Sequence, residues 1–172
     1  MTASIATLLD EALEAWQYTR DGVIAEAESI PADRFDWRPA QGARDVTALV
    51  RHIVESGLMA AGELTRPDGD FRRKPFDAIV AEYAAHVNDV SGKDALIELL
   101  RQSHTDSDAR FRSAGELMAL QYIRRFDGVL GTRLAWLYHA VDHESYHRGQ
   151  LALYVRQLGK VPALTRLIHG ES

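Results

Sequence analysis

Apolar residues recur three and four positions apart through almost the whole chain, and the strict alternation of a half-buried strand is missing. The first such run extends from about Ser4 to Ala27, with Ile5, Leu8, Leu9, Ala12, Trp16, Val23, Ile24 and Ala27 on one stripe. Pro31 and the segment PADRFDWRPAQGARD break the pattern and predict a linker. Asp45 stands where an N-cap belongs, ahead of a second helix through Val46, Leu49, Val50, Ile53, Gly57, Ala60 and Leu64. After the turn-rich TRPDGDFRRKP comes a short amphipathic segment, about Phe76 to Val90. Ser91 then starts a third long helix that reaches about Arg112 and turns Leu96, Leu99, Leu100 and Phe111 inward. GELMALQYIRRFDGVLG has room for one more short helical piece. Thr132 begins the last long helix, which runs to Leu158 and stops at Gly159, with Pro162 just beyond. No strand, internal repeat or low-complexity tract stands out. The pattern predicts one all-α domain over residues 1–172, a four-helix bundle with an additional short helix between helices two and three.

Composition narrows the chemistry more than the fold. The 172 residues, 46% hydrophobic and 26% charged, suit a single globular core. A formal net charge of −5 gives no electrostatic reason to expect nucleic acid as a partner. The local basic runs Arg72-Arg73-Lys74 and Arg124-Arg125 read as solvated surface charge. There is no cysteine, which removes disulfides, thiolate ligands and a cysteine nucleophile together. Catalysis must therefore rest on histidine, carboxylate, hydroxyl or a bound metal. MTASIATLLDEALEAW lacks the basic start and continuous apolar run of a signal peptide. No stretch approaches the roughly 20 apolar residues of a membrane span, so a cytoplasmic protein without a membrane partner is expected.

The last helix carries the densest chemistry, in WLYHAVDHESYHRGQLALYVRQLGKVP. H-E-x-x-H on a helix is the spacing with which zinc proteases set two histidines on one metal. At about 100° per residue, Trp136, Ala140, His147, Leu151, Tyr154 and Leu158 share one arc. His143 lies one turn earlier on the same face, while His139 falls near the polar boundary and reads as a neighbour. His143 and His147 can thus converge on one ion, and Gln150 could orient a ligand or a water. Two buried imidazoles cost desolvation that apolar residues avoid, whereas a lone one is ordinarily a core residue. A third ligand must come from another helix. His52, in LVRHIVES on helix two, is a plausible one, although its line of residues flanks the apolar face. His86 lies in the connecting segment, His104 in the polar run RQSHTDSDAR reads as solvent-facing, and His169 is near the end of the chain. The protease reading fails on its continuation. A metzincin would need glycine and histidine where Gln150 and Leu153 stand, and a gluzincin would have only Glu171 downstream.

HAVDHESYHRGQLALYVRQLGKVP resembles the last helix of the DinB-like (damage-inducible, YfiT-like) superfamily, with its H-x-x-x-H-R-G-Q motif. FDWRPAQGARDVTALVRHIVES resembles the family's aromatic-W-R-P loop and the helix behind it, which holds one histidine. The resemblance implies up-down-down-up connectivity and a divalent metal held by His52, His143 and His147. Imidazole suits zinc and nickel best. Three protein ligands leave positions for water or substrate, the pattern of catalytic sites. Relatives of this kind include transferases and isomerases that use low-molecular-weight thiols. The expected activity is thiol S-transferase or hydrolase chemistry on a small molecule, with Glu144 as candidate general base or, alternatively, an inter-helix ion pair. A non-catalytic metal-binding bundle, stabilised by its ion and serving in a stress response as a homodimer, is the competing reading. Gly149 predicts close approach of a neighbouring helix, and Arg148 a salt bridge between helices.

Overall fold

Three of the four long helices begin where a side chain receives an orphan amide. In the computed structural model, which describes residues 7–170, Thr7 accepts from the Asp10 amide at 3.1 Å and starts α1 (Leu8–Ser29). The expected positions Ser4 and Ile5, and Glu171, lie outside the described residues. Asp45 caps α2 (Val46–Leu64), accepting from the Ala48 amide at 2.8 Å. The connection that follows holds α3 (Phe76–Ala84) and a 3-10 turn, Ala85–Asp89. Next comes α4 (Lys93–Ala114), which starts from Gly92 without a side-chain cap, where Ser91 was expected to serve. A single turn, α5 (Glu116–Ala119), leads to two short strands, β1 (Tyr122–Arg124) and β2 (Leu130–Thr132). Thr132 then caps α6 (Arg133–Gln157), and Gly159, at φ +75°, ends it. The chain closes with α7 (Ala163–His169).

Contacts at the helix ends give the relative directions. Asp10 pairs with Arg112 at 2.8 Å, and Lys93 Nζ donates to the Glu28 and Ile30 carbonyls at 2.6 and 2.8 Å, so α4 runs antiparallel to α1. Arg51 donates to the Val90 carbonyl and Arg110 to Thr65 Oγ1, so α2 runs with α4. Arg133 donates to the Leu64 carbonyl and Tyr154 to the Arg44 carbonyl, both at 3.0 Å, so α6 opposes α2. In chain order the four long helices run up, down, down, up. Each of α1 and α2 packs between α4 and α6.

The interior has two apolar halves. Val23, Leu49, Val50, Ile53, Leu96, Leu100, Leu151 and Val155 fill one, and Leu9, Leu13, Trp16, Met59, Leu64, Phe111 and Leu137 fill the other. A polar waist separates them, where Arg20, Ser103, His104, Glu144 and His147 are buried. His104 therefore points inward, against the expectation from its polar run. Its ring meets Trp16 edge-on, with centroids 4.8 Å apart.

Four features correct the sequence reading. The strands form an antiparallel pair with Ile123 opposite Gly131. They are held by a distant segment: Phe71 N–H donates to the Arg124 carbonyl at 3.0 Å, and Arg124 N–H to the Gly69 carbonyl at 2.6 Å. The tail is helical because Glu26 of α1 accepts from the Ala163 and Leu164 amides at 3.0 and 3.3 Å, a cap supplied from across the bundle. Gly149 is exposed, with nothing within 4 Å of where a Cβ would stand, so no helix approaches it. Arg148 lies across Gly22, with its guanidinium carbon 5.3 Å from the Tyr18 ring centroid, in place of the expected salt bridge.

The connection carrying α3 is anchored rather than loose. Glu63, buried at the end of α2, receives Tyr83 Oη at 2.8 Å and the Arg73 guanidinium. Gly62 permits this, since a Cβ there would stand 2.4 Å from the Tyr83 ring. The clamp fixes where α3 begins, and with it Phe76.

Candidate metal centre

The register of α2 against α6 is set at both ends by the Arg133–Leu64 and Tyr154–Arg44 bonds. Midway between them, His52 of α2 faces His143 and His147 of α6. His143 Nε2 stands 3.2 Å from His52 Nε2 and 3.0 Å from His147 Nε2. One ligand nitrogen from each residue lies within 4.8 Å of the others. Two nitrogens bound to one zinc ion at roughly 2.0–2.1 Å, at angles between square and tetrahedral, stand about 2.9–3.4 Å apart. Both short separations fall in that range.

The protonation pattern fits a cation as well. His147 Nδ1 donates to Gln150 Oε1 at 2.8 Å, which leaves the lone pair on Nε2, aimed at the other rings. A single proton on His143 can bridge to only one of its two close neighbours. The remaining nitrogens then face one another lone pair to lone pair, an arrangement that a shared cation relieves. Burial, with the Arg44 charge and the neighbouring imidazoles adding to it, pushes His52 down to about 4. Burial likewise lowers His143 and His147. All three rings are neutral donors at neutral pH, as ligation requires.

The same shifts predict acid sensitivity. Below the ordinary imidazole value of 6.5, the unfolded chain takes up protons that the folded chain refuses, and stability falls with pH. His104, also lowered chiefly by burial, adds to the effect. For the metal-free protein, the melting temperature is expected to fall between pH 6.5 and about 4, where folded His52 finally takes its proton. The fall should be smaller in His52→Asn. A flat profile across that window in thermal melts would contradict the burial of these rings.

Glu144 is not at this centre. Its carboxylate, 3% exposed, turns toward α1 and accepts Trp16 Nε1 at 2.7 Å and the Arg20 guanidinium through both oxygens. Three donors hold the two oxygens toward α1 and away from the histidines. Of its two expected roles, the inter-helix ion pair is the one observed. His139 is exposed and stacks on Trp136 at 4.5 Å, outside the ligand group.

Two hollows share His52, and one of them also reaches His143. One, of about 440 Å³, carries the polar side chains of Arg44, His52, Glu55, Asp77 and Asn88 beside apolar Phe76, Val80 and Ala84. Burial holds Glu55 above the usual carboxylate range there. The other, of about 240 Å³, is lined chiefly by Met59, Phe76, Phe126 and Trp136, with His52, His139 and His143 on its wall. Sequence reasoning missed Glu55 and Phe126. The signal for Phe126 was a large apolar residue within a polar turn, and for Glu55 its place one turn after His52.

The sequence model of the DinB family matches residues 1–170. The uncharacterised protein YjoA of Bacillus subtilis (strain 168) is 27% identical over 139 residues, 77% of this chain and 79% of YjoA. Its crystal structure superposes with a TM-score of 0.68 at 23% identity, covering 89% of this chain and 94% of that one. YfiT from Bacillus subtilis, a probable metal-dependent hydrolase with an unusual four-helix-bundle topology, gives a TM-score of 0.69 at 15% identity, with 93% of each chain covered. The mycothiol-dependent maleylpyruvate isomerase gives 0.65 at 15% identity, covering 86% of this chain and 63% of the isomerase. At these identities the superpositions speak for the fold, a four-helix bundle. No helix among the described residues is long and apolar enough to cross a membrane.

Proposed function

The chain belongs to the DinB family, and on that premise we propose that it is a metal-dependent enzyme. In this reading His52, His143 and His147 hold one divalent cation, zinc or nickel, and the reaction is thiol transfer to, or hydrolysis of, a small molecule. The observation that carries it is the meeting of three neutral imidazoles, with His143 Nε2 3.0 Å from His147 and 3.2 Å from His52, beside two hollows that share His52. A cation bound there supplies a Lewis acid that polarises a carbonyl or lowers the pKa of a water or thiol. Gln150 keeps His147 in the ligating tautomer. Glu55, in the larger hollow beside His52, is the carboxylate placed to accept the proton that the thiol or water gives up. Its raised pKa brings it nearer to neutrality, as a general base needs. The apolar walls of the second hollow offer the electrophile an apolar seat. Two structural neighbours support the choice of chemistry by their names, one a probable metal-dependent hydrolase and the other mycothiol-dependent.

The test is metal analysis of the purified protein, followed by a turnover screen of the zinc- and nickel-loaded forms. The screen pairs several low-molecular-weight thiols with electrophiles and adds hydrolysable esters and amides. Turnover is expected with at least one pairing, and Glu55→Gln should lower it about 100-fold or more while leaving metal content unchanged. Metal bound without turnover in any pairing would return the protein to the class of non-catalytic metal-binding bundles.

A further inference from the structure

The apolar hollow beside His52 and His143 is built by parts of the chain that a four-helix bundle does not require. Phe76 comes from the connection between α2 and α4, and Phe126 from the turn of the β-hairpin. The two rings meet with centroids 5.5 Å apart although 49% and 36% exposed, respectively. Phe126 rests on buried Phe71 at 4.6 Å, and Phe71 in turn packs on Trp136 at 5.8 Å. The Arg125 guanidinium lies 4.8 Å over Trp136 and covers its outer side. Backbone bonds between residues 69–71 and Arg124 lock the two connections together. The wall is thus preorganised, and it borders an open hollow of about 240 Å³.

Packing alone does not account for this arrangement. Two half-exposed phenylalanines arched over an unfilled apolar space leave dispersion contacts unmade and apolar surface in water. A cavity of roughly 150 Å³ lined by apolar side chains already accepts benzene, and apolar walls give water few partners. The rings around this space stand at 55° to 66° to one another, Phe126 to Trp136 and Phe76 to Phe126. A further ring can join such a set edge to face. The polar side chains on the wall are His52, Ser56, His139 and His143, and a guest whose one end reaches a cation held at His52 and His143 leaves its other end among the rings.

We propose that the substrate of the three-histidine site carries an apolar, ring-sized group that seats between Phe76, Phe126 and Trp136 with its reactive end at His52 and His143. This rests on the reading of the histidines as a metal centre. It adds the class of group carried on the reacting carbon, and it assigns the larger hollow to the other reactant.

Two measurements test it. Zinc-loaded protein is titrated by calorimetry with acetohydroxamate and benzohydroxamate, which share a metal-binding head and differ in a methyl or phenyl tail. Benzohydroxamate should bind at least about tenfold more tightly, and Ala140→Phe, which fills the hollow, should remove the gain. Separately, fluorobenzene is followed by fluorine NMR with the zinc-free protein, where binding is expected to the natural chain and not to a folded Ala140→Phe. Should that variant fail to fold, the comparison of the two hydroxamates on the natural protein decides alone. Equal affinity of the two hydroxamates, or fluorobenzene binding that Ala140→Phe leaves intact, overturns the ring pocket while the metal centre stands. Failure of both hydroxamates to bind overturns the metal centre and this proposal with it, even where fluorobenzene still enters the hollow.

Discussion

Arg20→Ala is expected to destabilise the protein by about 3–5 kcal/mol, the cost of leaving a buried charge without its partner. Arg20 is 1% exposed and spans the bundle. Its guanidinium reaches both Glu144 oxygens on α6, the Leu100 carbonyl at 2.7 Å and Ser103 Oγ at 3.1 Å on α4. On α2, Gly57 leaves room for it, since a Cβ there would stand 3.2 Å from Nη2. Removing the guanidinium strands the Glu144 carboxylate with Trp16 Nε1 as its remaining donor. At roughly 2–4 °C per kcal/mol for a chain of this size, the melting temperature should drop by roughly 6–20 °C. The double variant Arg20→Met with Glu144→Leu should recover most of the loss, because a well-packed apolar pair often matches a buried ion pair. A single-variant cost under about 1 kcal/mol in denaturant unfolding would contradict the network. Glu144→Gln separates structure from catalysis. It should lower stability, whereas lost turnover at unchanged stability would put Glu144 back at the chemistry.

The waist also shows why some positions were legible in the sequence and others were not. Asp45, Thr132 and Gly159 act on backbone within four residues of themselves, so their caps and stop can be read locally. His143 and His147 belong to one helix, and the 3.6-residue period alone puts them on one face. His52 is different. Which way α2 turns its histidine depends on packing against α4, α6 and the clamp at Glu63, and sequence periodicity left it beside the apolar face. The family resemblance singled it out, and the structure brings its ring to the other two. His104 misled because the polar run around it is solvated on one side only, while the other faces Trp16 and Arg20. The hairpin and α7 depend on partners about fifty or more residues away, Gly69 and Phe71 for the strands and Glu26 for the helix. Three-residue strands have no period to detect. The aromatic wall over the histidines was hidden for the same reason, since Phe76 and Phe126 become neighbours only once the hairpin docks.

His143→Ala should lower the affinity for zinc or nickel by more than about 100-fold, since loss of even an outer-shell partner typically costs 10–100-fold. His143 is the middle member of the set, with Nε2 in reach of both other rings. Its loss leaves His52 and His147 as two ligands, within 4.8 Å of each other but without the short separations that fit one ion. Gln150→Ala, which frees His147 Nδ1 and so permits the non-ligating tautomer, should fall in the milder range of about 10–100-fold. The consequence for stability follows by linkage. Metal at a hundred times its dissociation constant stabilises the fold by about 2.7 kcal/mol. That corresponds to a gain of roughly 5–11 °C in melting temperature for the natural chain. The gain should be nearly absent in His143→Ala, while the metal-free forms of the two proteins should melt close together, because the variant loses a half-buried polar ring whose hydrogen-bonding reach is to the other two imidazoles. An equal metal-induced rise in both would mean that the ion binds elsewhere, and the three imidazoles would then be packing neighbours without a shared ligand.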